Sequence, residues 1–129
     1  MCNVQCVMKV DNIILTKTAD FAVRIVNLYK HICNTFNDRT IASQLLRSGT
    51  SIGANAQEAT SGISKKDFLS KMYISLKEAN ETKYWLVLLH RTDYLSDNEF
   101  TSIYNDCLEI IKLLTSITKT TVENLNKKI

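Results

Sequence analysis

Residues Arg47–Thr60 read RSGTSIGANAQEAT, and Gly49–Gly53 within them spell GTSIG. That pentapeptide satisfies G-x-S-x-G, the turn that presents the nucleophile of α/β hydrolases. On that reading Ser51 is a nucleophile and the chain is an α/β enzyme. On the other, the segment is the middle of a helix that contains two glycines. The flanks decide between them. A nucleophile elbow needs a strand before its serine, a helix after it, and a histidine and an acid delivered by a sheet. The residues before Gly49, IASQLLRS, have helical spacing. Ile41, Leu45, Ile52, Ala56 and Ala59 continue one apolar side straight through both glycines, as residues three and four apart do on a helix. His31 and His90, the only histidines, lie in other helical stretches. We read residues 47–60 as helix and assign no catalytic residue. There is no G-K-[ST] phosphate loop either.

The same periodicity extends in both directions. Before this segment, Phe21, Ile25, Leu28 and Ile32 repeat at 4-3-4 spacing, with Ala22, Val26, Tyr29, Cys33 and Phe36 beside them. This predicts a first helix from about Thr18 to Asn34 with the wide apolar face of a bundle helix. Asn37-Asp38 is a turn and the N-cap of the second helix. Gly62 suits that helix's C-cap, and Ser64 with Asp67 starts a third helix that runs to about Arg91. Its apolar face holds Phe68, Met72, Ser75, Ala79, Leu86 and His90. Ser96-Asp97-Asn98-Glu99 is a capping box. Behind it, Phe100, Ile103, Cys107, Ile110, Leu114 and Ile117 form the 3-4 seam of a bundle helix.

Composition agrees. The 129-residue chain contains no proline, which suits uninterrupted helices. Short turns between four helices imply antiparallel neighbours. The expected fold is all-α, an up-down-up-down antiparallel four-helix bundle over residues 16–126. Residues 1–15 are expected as a partly disordered or extended arm whose Ile13, Ile14 and Leu15 dock on the domain, and 127–129 as a frayed tail. The net charge of +3 permits an acidic partner without demanding one. Cys2, Cys6, Cys33 and Cys107 show no C-x-x-C pair, and neither they nor the histidines have metal-ligand spacing. No metal or other cofactor is expected. No stretch approaches the roughly 20 apolar residues of a membrane span, and the start lacks a signal-peptide pattern. These features point to a reduced, cytoplasmic protein with no membrane role.

Two polar stripes remain. On the second helix, Gln44, Arg47, Ser51, Asn55 and Glu58 fall within roughly 80° at 100° per residue. Three readings stand open: a solvated face, an interhelical polar network with Arg47 paired to Glu58 or Glu78, and a ligand site. On the third helix, Lys66, Tyr73, Lys77, Tyr84 and Arg91 share a sector of roughly 40° well away from the apolar face. Lysines neutralise phosphates and tyrosines stack on bases. The same residue types also suit a subunit interface or a plain surface. Glu81 and Asn80 border the stripe and dilute its charge. Lys65 and Lys66 stand at a helix N-terminus, where positive charge is unfavourable.

The segments QLLRSGTSIGANAQEA and SKKDFLSKMYISLKEANETKYWLVLL resemble the four-helix-bundle family known from intervening sequences of bacterial 23S ribosomal RNA genes. That family is related to the accessory protein of diversity-generating retroelements. The matching positions are Gln44, Leu45 and Arg47; Ser51, Ile52, Asn55 and Glu58; Ser64–Phe68; and Ser75, Leu76 and Glu78. Gly53 stands where many members have proline, and Ala59 where they have glycine. The resemblance covers about residues 9–120. It implies an up-down bundle, a ring-like homo-oligomer (a pentamer) and no enzymatic activity. For the retroelement relatives it implies a basic surface that engages RNA or DNA together with a protein partner. The functional expectation is a non-enzymatic homo-oligomeric accessory or scaffold protein associated with nucleic acid. The alternative is a structural oligomerisation module that binds a protein partner.

Overall fold

In a computed structural model the chain forms four helices: α1 Val4–Phe36, α2 Thr40–Thr60, α3 Lys65–Arg91 and α4 Asp97–Asn126. The structure describes residues 4–127, with side chains from residue 12 onward. Each helix packs on the next in sequence, and α4 returns to α1, so the four close into an up-down-up-down bundle. The α2–α3 contact is the most extensive and the α1–α4 contact the sparsest. No described helix is long and apolar enough to cross a membrane.

Local chemistry sets the helix ends. Asn37 takes a positive φ of 51° at the α1–α2 turn. Asp38 then accepts the Thr40 amide at 3.0 Å, but the N-cap position of α2 is Arg39 rather than Asn37 or Asp38. Ser64 accepts the Asp67 amide at 3.1 Å and so starts α3. Ser96 accepts from Glu99 N at 3.2 Å while the Glu99 carboxylate accepts from Ser96 N at 3.0 Å. That reciprocal pair is the capping box the sequence predicts. Gly62 does not make a left-handed cap, because no described glycine has positive φ. Ser61 occupies the C-cap of α2, and its amide donates to the Glu58 carbonyl at 3.1 Å.

The first helix begins earlier than its strongest apolar repeat suggests. Residues 4–15, expected as an arm, belong to α1. Ile14 and Thr18 are buried and carry the Phe21–Ile25 ridge backward with 4-3-4 spacing. The Thr18 hydroxyl donates to the Ile14 carbonyl at 2.7 Å, so a polar residue sits on the ridge without an unmet bond. Leu15 is half-buried, whereas Ile13 faces outward. At the other end α4 stays helical to Asn126. The arm's first three residues and the last two of the tail lie outside the described residues.

The core holds Phe21, Ile25, Ile32, Leu45, Ile52, Met72, Leu86, Leu89, Ile103, Ile110 and Leu114. Burying each such side chain contributes about 1.5–3 kcal/mol. Of the two glycines of α2, Gly49 serves this packing most tightly. A Cβ on Gly49 would lie 2.8 Å from Ile25 on α1, and one on Gly53 would lie 3.4 Å from Thr18. They let α1 approach the α2 backbone, with Ser48 and Gly49 both buried.

Candidate nucleic-acid interface

One face of α3 is fixed by the core. Met72, Ser75, Ala79, Thr82, Leu86 and Leu89 are all buried. The opposite side, about 165° away at 100° per residue, must therefore face outward. Lys66, Tyr73, Lys77, Tyr84 and Arg91 are all exposed on it. Tyr73 and Tyr84 are 47% and 59% exposed, values high for aromatic side chains. Neither phenol makes a hydrogen bond among the described residues, and Lys66, Lys77 and Arg91 make no ion pair there. The rise of 1.5 Å per residue gives the face a length of about 37 Å.

The bordering acids are engaged elsewhere. Arg47 of α2 places Nη1 3.2 Å from Glu78 and Nη2 against Glu81. Glu81 also accepts from Trp85 Nε1 at 3.2 Å. Asn80 donates to the Leu76 carbonyl at 3.1 Å. Glu81 and Asn80 therefore weaken the positive face less than their sequence positions imply. Tyr84 meets the Trp85 ring edge-to-face, with centroids 5.0 Å apart.

The α2 stripe divides by burial. Gln44, Arg47 and Glu58 are exposed, while Ser51 and Asn55 are half-buried. Arg47 pairs with Glu78 and Glu81 rather than Glu58, which pairs with Lys71 at 2.8 Å. Ser51 donates to the Arg47 carbonyl at 2.6 Å, and Asn55 donates to the Ser51 carbonyl at 2.8 Å. These bonds tie the stripe to its own helix. Ser51 stands in the middle of a helix, not at a strand-to-helix turn, and its hydroxyl is committed to that carbonyl.

The buried polar contacts lie one ridge over, at Ser48, Ser75 and Thr82, outside the stripe. Ser75 donates to the Ile52 carbonyl at 2.7 Å across the α2–α3 interface. Thr82 Oγ1 lies 2.9 Å from Ser48 Oγ and 2.8 Å from the Glu78 carbonyl. With one proton, Thr82 donates to that carbonyl and accepts from Ser48. Among the described residues no buried side-chain polar atom lacks a partner. Serines and threonines recurring among apolar positions at helical spacing were the available signal.

A second set also escaped the sequence reading. Lys17, Arg24 and His31 stand seven residues apart on α1 and face Glu109, Asp106 and Glu99 on α4. Basic residues at heptad spacing on α1, opposite acids on α4, were its trace in sequence. These pairs border shallow hollows of about 160 and 320 Å³ along the sparse α1–α4 seam. A larger hollow, about 530 Å³, lies at the turn end beside His31, His90 and Tyr94. Beside it His90 pairs with Asp97 at 2.7 Å, and Tyr94 donates to Asp38 at 2.7 Å. Among the described residues no group of three or more His, Cys, Asp or Glu side chains is placed to hold a metal. Cys107 is buried in the bundle, which pushes its thiol pKa up to about 12. Cys33 is half-buried, and both are free thiols.

The family described as 23S rRNA-intervening sequence protein matches residues 10–116. No curated protein matches the chain. Among solved structures, the chain is similar to a crystal structure from Bacteroides thetaiotaomicron VPI-5482, described as a protein with unknown function from the S23 ribosomal protein family. The two share 54% identity with a TM-score of 0.83, over 85% of this chain and 98% of the other.

Proposed function

Given that this chain belongs to the 23S rRNA-intervening sequence protein family, we propose that it is a non-enzymatic, cytoplasmic bundle protein that assembles with copies of itself and engages nucleic acid as an accessory or scaffold. One observation carries the reading. Lys66, Lys77 and Arg91 are exposed, interleaved with Tyr73 and Tyr84, and without ion partners among the described residues, while Arg47 occupies the acids beside them. Cations left free on one face supply the counterion-release term of phosphate binding. A charge of +3 per chain is modest, and a ring would multiply it by presenting several copies of the face to one strand. The ring, taken as a pentamer, rests on the family resemblance.

The test is fluorescence anisotropy of a labelled structured RNA and a DNA duplex, titrated at two salt concentrations, with light scattering for oligomer size. We expect binding that weakens as salt rises, and a smaller salt slope after Lys66→Glu and Lys77→Glu. No binding at low salt would reject the nucleic-acid role. The second reading, an oligomerisation module for a protein partner, draws on the exposure of Tyr73 and Tyr84 on the same face. It would be supported if changing the tyrosines altered oligomer size.

A further inference from the structure

We propose that the outer face of α3 takes an unpaired nucleic-acid strand rather than a duplex, with bases stacking on Tyr73 and Tyr84 between phosphates held by Lys66, Lys77 and Arg91. The inference rests on the nucleic-acid reading above and specifies its ligand. Phosphate neutralisation needs cations only; a duplex keeps its bases stacked inside and offers a flat helix surface no ring to stack on. Exposed tyrosines interleaved with cations match the other arrangement, in which a basic track follows the backbone and aromatic rings receive bases.

Three features of this face fit that arrangement. The order along α3 alternates cation, ring, cation, ring, cation. Tyr73 and Tyr84 stand eleven residues apart, about 16 Å along the axis, so the two rings serve separate positions on one extended strand. Tyr84 is also braced: its neighbour Trp85 meets it edge-to-face, and Trp85 is in turn held by Glu81 through its indole N–H. A braced ring loses less freedom when a base stacks on it. Asn80 on the border donates its amide to its own helix, and a ring stacks on any base because every base has a π-face. The proposed contact is therefore tolerant of sequence.

The experiment compares labelled oligouridine and oligothymidine with a duplex of equal length, using the full chain at matched salt. The expected result is single-strand affinity at least about tenfold above duplex affinity. Stacking measured at other sites predicts that Tyr73→Ala or Tyr84→Ala lowers single-strand affinity by about five- to a hundredfold. The salt slope should stay unchanged, and Tyr84→Phe should retain binding. Lys66→Glu and Lys77→Glu should instead reduce the salt slope. Circular dichroism and light scattering of the tyrosine variants should match the parent. Equal or tighter duplex binding, or tyrosine variants that bind as the parent does, would overturn the single-strand inference while leaving the nucleic-acid reading intact. Binding to neither probe would overturn both. Tyrosine variants that change oligomer size would assign the face to contact between copies and overturn the inference.

Discussion

A methyl group placed on Gly49 would lie 2.8 Å from both Cγ1 and Cγ2 of Ile25. Ile25 is fully buried and β-branched, so neither carbon can swing aside freely. The glycine is where α2 lets α1 close on its backbone. Gly49→Ala should therefore destabilise the bundle. Overpacking of about 1–3 kcal/mol opposes a helix-propensity gain of about 1 kcal/mol. Gly53 is the contrast, since its added Cβ would make a 3.4 Å contact with Thr18. Gly53→Ala should be neutral or stabilising by up to about 1 kcal/mol. Urea denaturation of both variants checks this. Equal effects would refute the assignment of close approach to Gly49.

The ion pairs between α2 and α3 should differ in weight. The Glu78 side chain is 12% exposed and faces Arg47, whereas Glu58 and Lys71 are 61% and 40% exposed. Removing Arg47 leaves a largely buried carboxylate without its partner, so Arg47→Ala should cost about 1–3 kcal/mol. Glu58→Ala should stay within about 0.5 kcal/mol of the parent. Thermal melts of the two variants distinguish them, and a larger loss for Glu58→Ala would reverse the ranking.

Cysteine chemistry gives a check on the core. Burial holds the Cys107 thiol at about 12, so it carries almost no thiolate at neutral pH and its access is blocked. Alkylation of the native protein followed by peptide mapping should leave Cys107 unmodified and label it only after denaturation. Rapid native labelling would show that α4 is not packed as described.

Acid stability should depend on two caps. The Glu99 carboxyl is held below its ordinary value mainly by the Ser96 amide, and that of Asp38 mainly by the Thr40 amide. A carboxyl whose folded pKa is depressed contributes stability that is present above its unfolded pKa, near 4 to 4.5. That contribution is lost as pH falls through the folded value. Glu99→Gln and Asp38→Asn together should flatten the loss of stability below about pH 5, read as melting temperature against pH. An unchanged slope would remove these caps as its cause.

Much of this fold was legible in sequence because helical bundles write their contacts locally. The 3-4 repeat from Phe100 to Ile117 and the Ser96–Glu99 box each depend on residues within one or two turns. The mid-helix reading of GTSIG needed only the spacing on either side of it. The tyrosine and lysine stripe of α3 was also visible, since residues on one face recur every three or four positions.

The unread parts depended on a second helix. Thr18 gave no sign that it continued the core ridge of α1, because only packing against α2 makes a threonine a buried residue there. The partner of Arg47 could be narrowed to a few acids by sequence, but choosing Glu78 and Glu81 over Glu58 required the relative rotation of α2 and α3. Which α4 acids Lys17, Arg24 and His31 meet depended likewise on how α1 and α4 pack. Four helices, the starts of α3 and α4 and the side each helix buries were readable from the chain alone, because these follow from periodicity and local hydrogen bonds. Which glycine makes room for a neighbouring helix's side chain, which acids are neutralised and which cations are left free came from the packing of the helices, because those depend on distances between segments far apart in the chain.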